Sequence, residues 1–326
     1  MGKIADMWKK ATGEVDAVPT APATSPPAAA DERPRRPMMF TSGNFALGAT
    51  NDDQRRRIES FGLSHVGKVR EGNEDHFVVA SLQRSLEVRQ TNLEDRAVLE
   101  PLCGPKAYLY AVADGVGGVD GGRLASGITI QTIVEYLSET VGSYHAVESG
   151  QEHAFLDPLG KAVQRAHEKL RSTFGLPQGG PATTLTIALV VWPQAFVVHV
   201  GDSRAYHLRG ETLKRLTRDQ TMGAFLIDEY KMTEKQVEQQ GFNNVLSSAV
   251  GAQDMTPAVS ALSLEQGDWL VLCTDGLTKH VPERQIADVL RTAPNAEAGC
   301  RELVDLALAG GGKDNVTVVV ASALKW

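Results

Sequence analysis

The chain has 326 residues, 42% of them hydrophobic and 22% charged, the make-up of an ordinary soluble globular fold. A formal charge of -7 argues against general binding to nucleic acid or to an anionic membrane. Three widely spaced cysteines (Cys103, Cys273 and Cys300), with no CxxC, argue against a disulfide framework or a zinc site and fit a reducing cytosol.

From the start of the chain, residues 1–13 have Ile4 and Trp8 on one face of a short amphipathic pattern. It is too short to hold a helix alone and reads as a frayed tail rather than a docking peptide. Asp6 stands where a myristoylation signal at Met1-Gly2 wants Ser or Thr. The N-terminus has no signal-peptide apolar core, and no apolar run reaches the roughly 18 residues of a membrane span. Six of the fifteen prolines fall before residue 38, so the Pro/Ala-rich stretch after the tail is a linker unable to bury a core. Ordered structure is expected from near Ser60. This divides the chain into a flexible tail and linker at 1–57 and a folded domain at 58–326.

Phe61 to Val69 reads as a first strand and His76 to Leu82 as a second, with the charged run Arg70 to Asp75 between them. Residues 83–105 read as a loop. Tyr108 to Gly122, YLYAVADGVGGVDGG, is an apolar run that stops at Asp114 and passes into five glycines within eight residues. A carboxylate at the end of a buried strand needs a cation, and the glycines let backbone approach a ligand closely. Taken alone, the stretch reads equally as an Asp-Gly hairpin turn. It is neither a Walker loop nor a dinucleotide fingerprint, for it lacks Gly-Lys-Ser/Thr and has Asp120 at the last glycine position.

Leu124, Ile128, Gln131, Val134, Leu137 and Val141 step at helical spacing, and a second helix starts at Asp157-Pro158. Strands are then expected at Thr183–Trp192, Ala195–Gly201, Arg204–Leu208 and Thr212–Leu216. Their tight turns read as one antiparallel meander. Residues 217 to 256 lose the pattern and read as an inserted flap, in which Thr233 and Gln236 form a capping box. Trp269 to Thr274 is a buried strand ending at Asp275-Gly276. Helices near Glu283–Leu290 and Ala296–Leu308 precede Gly310–Asn315 and a last strand, Val316 to Ala321.

Asp114, Asp202 and Asp275 each follow an apolar strand, Asp314 precedes one, and Glu74 and Asp75 precede another. One Asp at a strand end is a turn residue. Several, each beside Gly or Asn, point to acids gathered at one edge of packed sheets. No HExxH is present, and all-oxygen donors suit Mg²⁺ or Mn²⁺ rather than zinc. Such a set suits two ions about 3.5–4 Å apart acting on a phosphate ester. Arg70 is the candidate phosphate fork.

RxxNED (Arg70–Asp75), ADGVGG (Ala113–Gly118), GDSRAY (Gly201–Tyr206), TDGL (Thr274–Leu277) and GGKDN (Gly311–Asn315) occur in that order. Across residues 60–323 the chain thereby resembles the metal-dependent protein serine/threonine phosphatases of type 2C, bacterial branch. The resemblance implies an α+β fold, a four-layer α-β-β-α sandwich of two antiparallel sheets flanked by helix pairs. It implies two Mn²⁺ or Mg²⁺ ions and a weaker third. Carried over by position, Asp114, Asp275, Asp314 and the Gly115 carbonyl are direct ligands, and Glu74 and Asp75 act largely through water. Arg70 is the phosphate anchor, Asp202 joins Asp275 at the third metal, and about 217–250 is the flap.

The implied reaction is attack by a metal-bridged water on protein phosphoserine or phosphothreonine, without a covalent intermediate. It implies a monomeric cytoplasmic signalling enzyme opposing a Ser/Thr kinase, with phosphoprotein partners and neither nucleic acid nor membrane. A phosphoprotein-binding scaffold on the same fold would have lost ligands, and none is lost here; a phosphatase of small phosphomonoesters is the other alternative. Departures from the family pattern are Val116 where eukaryotic relatives carry a histidine, Ala182 before Thr183-Thr184, Gln220 in place of a common His, and Ser247-Ser248 in place of Thr-Arg. Val116 leaves the general acid unassigned. His76 and His199 read as structural histidines.

Overall fold

In a computed structural model of the protein, residues 58–84, 104–141, 156–175 and 180–323 are described. The expected tail and linker at 1–57, Cys103, and most of the loop at 83–105 lie outside them. Eleven strands are defined among the described residues: β1 (Ile58–His65), β2 (Asp75–Arg84), β3 (Gly104–Val116), β4 (Ala182–Thr183), β5 (Leu185–Val191), β6 (Gln194–Val200), β7 (Arg204–Arg209), β8 (Thr212–Arg215), β9 (Ala258–Ser263), β10 (Trp269–Cys273) and β11 (Val316–Ala323). They form two antiparallel sheets, ordered β1-β11-β10-β7-β8 and β2-β3-β5-β6-β9, with β4 paired to β3.

The near-continuous apolar runs of these strands follow from having both faces buried. On β3, Tyr108, Tyr110 and Val112 point into the gap between the sheets, where Leu270 and Leu272 of β10 and Val319 and Ala321 of β11 meet them. The alternate residues Leu109, Ala111 and Ala113 face outward onto α1 (Val119–Val141) and α2 (Leu156–Phe174). On the far side, Val271, Cys273, Val318 and Val320 face α6 (Glu283–Thr292) and α7 (Ala296–Ala309). Three apolar layers thus separate helix pair, sheet, sheet and helix pair, the expected four-layer α-β-β-α sandwich.

Several local expectations needed correction. The first strand occupies Ile58–His65 rather than Phe61–Val69, because Gly67, at φ 86°, turns the chain before the charged run. The segment at Thr183–Trp192 is two strands. It breaks at Thr184, whose amide donates to the Asp114 carbonyl (2.9 Å). The meander is two hairpins in different sheets: β5-β6 in one, β7-β8 in the other. The crossing occurs at Gly201, whose φ of 107° is open to glycine but not to other residues, and a Cβ there would stand 2.7 Å from the Thr184 side chain. The inserted segment holds two helices, not one. These are α3 (Met222–Tyr230), capped by Thr221, and α4 (Glu234–Gln240), with the capping box of Thr233 and Gln236. Strand β9 went unrecognised in the sequence.

At the other end of the sandwich Asp268 is buried. It accepts hydrogen bonds from Arg209 Nη2 (2.7 Å), His207 Nε2 (2.9 Å) and the Glu265 amide (2.8 Å). Burial pushes its pKa up, but these donors outweigh burial and hold it below the ordinary 3.8. A carboxyl with a lowered folded pKa stabilises the fold above its unfolded value and loses that contribution as pH falls through the folded one. Asp268→Ala is therefore expected to cost about 2 kcal/mol at pH 7 in urea unfolding. The difference from wild type should shrink as the medium is taken below the ordinary carboxylate value.

Candidate metal centre

The candidate acids meet because two strands keep register. Asp75 of β2 lies opposite Asp114 of β3. By the period of two, Asp75 continues the inward row Phe77 and Val79, and Asp114 continues Tyr108, Tyr110 and Val112. From the facing sheet, Thr274 extends the row of Leu270 and Leu272, and Thr317 that of Val319 and Ala321. The inter-sheet layer therefore turns from apolar to polar at one end. There Asp75 Oδ2 accepts from Thr317 Oγ1 (2.7 Å) and Thr274 Oγ1 (2.9 Å) across the gap.

Hydroxyls and amides fix the remaining backbone. Thr184 Oγ1 accepts from the Asp114 amide (2.9 Å) and shares a hydrogen bond with Ser203 (2.8 Å), while Thr183 Oγ1 donates to the Asp114 carbonyl (2.8 Å). Asn315 Oδ1 accepts from the Glu74 amide (2.8 Å), and its Nδ2 donates to the carbonyls of Val66 (2.8 Å) and Gly72 (2.9 Å). The RxxNED turn is thereby pinned to the start of β11. Asp275 opens the four-residue helix α5 (Asp275–Thr278), and Gly276 packs so closely that a Cβ would stand 1.9 Å from the Asn315 carbonyl oxygen.

A cleft of about 720 Å³ opens here. Arg70, Glu74, Asp114, Gly115, Asp202, Asp275 and Asp314 are among its lining residues, and residues 244–249 form part of its wall. Asp75 lies beneath it, 5% exposed. Every acid singled out in the sequence is thus at or under one cleft. Arg70 Nε pairs with Asp314 Oδ1 (2.8 Å). Lys279, which carries no mark in the sequence, pairs with Asp275 Oδ2 (2.5 Å) and Asp314 Oδ2 (3.1 Å). The hydroxyls of Thr184, Thr274 and Thr317 also went unpredicted. Thr274 lies within TDGL and Thr184 beside Thr183, and all three are polar residues at the inward period of strands otherwise apolar.

No histidine lines the cleft among the described residues. His199 is buried on β6, its Nε2 donating to the Arg218 carbonyl (3.1 Å) and its Nδ1 accepting from Thr186 (2.9 Å), and burial pushes its pKa down to about 4. His76 Nδ1 stands 2.9 Å from the Ser126 hydroxyl. Neither is among the residues that line the cleft. Val116 lies exposed at the mouth.

The electrostatics are those of crowded, under-compensated acids. Burial first, then the charges of Asp75, Asp275, Asp202 and Asp314, push Asp114 well above the carboxylate range. Burial pushes Asp75 to about 7 against the pull of its two threonines, and pushes Asp202 to about 7 with help from Asp275 and Asp219. Asp275 and Glu74 are also raised, by burial first. For Asp314, the Arg70 and Lys279 contacts overcome burial and lower it.

These residues fit hard divalent cations. Glu74 Oε1, Asp75 Oδ1 and Asp275 Oδ1 are buried oxygens with no hydrogen-bond partner, and buried polar atoms are seldom left so. Gly115 and Gly122 form a close backbone cradle. A Cβ on Gly115 would stand 2.1 Å from the Gly122 oxygen, and one on Gly122 would stand 2.6 Å from Glu74 Oε1. Among the described residues, no three acid, imidazole or thiol side chains already close on one coordination point, and Arg70 and Lys279 pair with two of the carboxylates.

The family model described as Protein phosphatase 2C matches residues 83–306. The chain belongs to that family. The serine/threonine protein phosphatase PstP of Mycobacterium tuberculosis is 32% identical to this phosphatase 2C chain over 222 residues, 68% of this chain and 41% of the relative. The chain thus spans well under half the length of that relative. Protein phosphatase PhpP of Streptococcus pneumoniae is 28% identical over 216 residues, 66% of this chain and 85% of the relative. The crystal structure of the PstP catalytic domain in complex with two manganese ions superposes with a TM-score of 0.62 at 27% identity, covering 82% of this chain and 99% of that one. The likeness confirms the sandwich.

Gly115→Ala is expected to cost about 1–3 kcal/mol in urea unfolding, because its Cβ meets backbone that cannot rotate away. An unchanged midpoint would show that β3 and the start of α1 part freely.

Proposed function

We propose that the protein is a metal-dependent protein serine/threonine phosphatase, hydrolysing phosphoserine and phosphothreonine on proteins. The observation that carries this is the set of unpartnered buried carboxylate oxygens on residues at and beneath one cleft, which Arg70 also lines. Relatives named serine/threonine phosphatase, and a neighbour in complex with manganese, support it.

Asp114, Asp275, Asp314 and the Gly115 carbonyl would hold two Mn²⁺ or Mg²⁺ ions. Glu74 and Asp75 would contribute largely through water, and Asp202 with Asp275 would hold a weaker third. When bound, such ions neutralise phosphoryl oxygens and lower the pKa of a water that they share. The chain's own part is orientation. Thr274 and Thr317 fix one oxygen of Asp75 and leave the other free, and Thr184 and Thr183 fix Asp114 from both sides of its peptide. Arg70, its side chain 50% exposed and lining the cleft, would fork a phosphoryl group there. With Val116 at the mouth and no histidine in the lining, no imidazole of the described residues stands ready to protonate the leaving oxygen.

The segment at about 217–250 is read as the flap that shapes a protein-substrate groove, and residues 58–326 as the catalytic unit. Removing residues 1–57 is expected to leave turnover of a peptide unchanged; a large loss of rate or stability would show that the tail packs on the domain. Among the described residues, no helix is long and apolar enough to cross a membrane. A cytoplasmic monomer opposing a Ser/Thr kinase is the cellular role proposed.

The test is phosphate release from a phosphothreonine peptide with Mn²⁺, without it, and after EDTA. Release should require the metal, and Asp275→Asn should lower turnover by on the order of a hundredfold or more. Near-normal turnover in that variant would sink the site assignment. Metal binding without release would favour a phosphoprotein-binding module.

A further inference from the structure

Lys279 is the C-cap residue of α5, four residues after Asp275, and its backbone amide donates to the Asp275 carbonyl. That turn aims its side chain back over the same residue. The ammonium stands 2.5 Å from Asp275 Oδ2 and 3.1 Å from Asp314 Oδ2, and Arg70 Nε takes Asp314 Oδ1 at 2.8 Å. Cationic side chains therefore occupy three of the four oxygens on these two carboxylates. The fourth, Asp275 Oδ1, is buried and without a partner. These carboxylates are two of the direct ligands proposed above, so any role of Lys279 at the metal centre rests on that reading.

A divalent ion drawing on Asp275 and Asp314 meets Lys279 in one of two ways. Either it takes an oxygen that the ammonium now holds, or it sits beside that ammonium with both charges positive. Each raises the free energy of the filled centre. A unit charge about 5 Å from a divalent ion is unfavourable by enough to shift affinity roughly tenfold even at the dielectric of water. A lysine suits such a role better than an arginine, for it is a compact charge on four methylenes and has no planar fork to lock on a carboxylate. Its side chain is 35% exposed at the cleft wall, so the ammonium can leave for solvent without repacking the core.

We propose that Lys279 is a tethered competitor for the metal centre. It neutralises Asp275 and Asp314 when no ion is bound, and it sets how much free Mn²⁺ or Mg²⁺ the protein needs before the centre fills. The role is one of positioning and tuning, since Lys279 acts through two ligands.

The experiment is calorimetric titration of Mn²⁺ into the EDTA-stripped full chain and into Lys279→Met, which keeps an unbranched stem and removes the charge. Thermal melts of both proteins with and without Mn²⁺ accompany it. The variant is expected to bind Mn²⁺ about tenfold more tightly or better. It should melt lower than wild type without metal and gain more from Mn²⁺. Equal or weaker Mn²⁺ binding by the variant, with wild type binding normally, overturns the competitor and leaves the metal centre standing. No Mn²⁺ binding by wild type overturns both. If Lys279→Met fails to fold by circular dichroism, Lys279→Gln takes its place with the same expectations.

Discussion

The register between β2 and β3 is the constraint on which the site depends. Asp75 and Asp114 are paired residues on neighbouring strands, and both face into the gap between the sheets. A slip of one residue would turn one of them outward toward the α1–α2 helices and bring an apolar side chain into its place. What opposes that slip is remote from the acids. Tyr108, Tyr110 and Val112 would leave the inter-sheet core, and Leu109, Ala111 and Ala113 would leave the helix-facing one. The two apolar layers thus hold the polar end of the inter-sheet one in place. Stability arising from burial becomes precision in where carboxylates stand.

Like charges packed together raise one another's pKa, and the surroundings answer with partial rather than full compensation. Threonine hydroxyls serve Asp75, a lysine and an arginine serve Asp314, and Lys279 serves Asp275. Asp114 is held at its backbone, its amide donating to Thr184 Oγ1 and its carbonyl accepting from Thr183 Oγ1. Asp114, Asp75 and Asp202 are consequently held above the usual carboxylate range, by burial first. Such a site is stabilised by cations and is costly to leave without them.

Much of this was legible in the sequence because glycine and asparagine flank each acid, marking backbone that turns where a strand ends. Asp114-Gly115, Asp275-Gly276 and Asp314-Asn315 could be found without a structure, and close packing explains why Gly115 and Gly276 bear no side chain. The four helices that flank the sheets were legible, whereas α3 and α5 were not. Strand β9, Ala258–Ser263, was not, because as an edge strand it lacks the doubly buried run that gave its neighbours away. The exchange of sheets at Gly201 was invisible because consecutive strands with short turns read as neighbours whichever sheet each joins. Lys279 carried no signal either. A lysine after a helical turn is ordinarily solvated, and only the tertiary fold brings Asp314 to its other side.

The segment that walls the cleft is clamped at its ends. The Gln220 amide donates to the Gly201 carbonyl (2.7 Å), and Gln220 Oε1 accepts from the Gly201 amide (3.0 Å). The Ser247 amide donates to the Gln220 carbonyl (2.9 Å), and Thr183 and Val250 exchange amide hydrogen bonds in both directions. These clamps fall beside the residues that hold Asp114, while α3 and α4 hang beyond them. The cost of closing the loop is met at the clamps, and it grows only slowly with the length enclosed. Residues 221–246 therefore constitute an exchangeable cassette. Their length and composition can be rewritten, changing what the cleft admits, while the carboxylates at its floor keep their places.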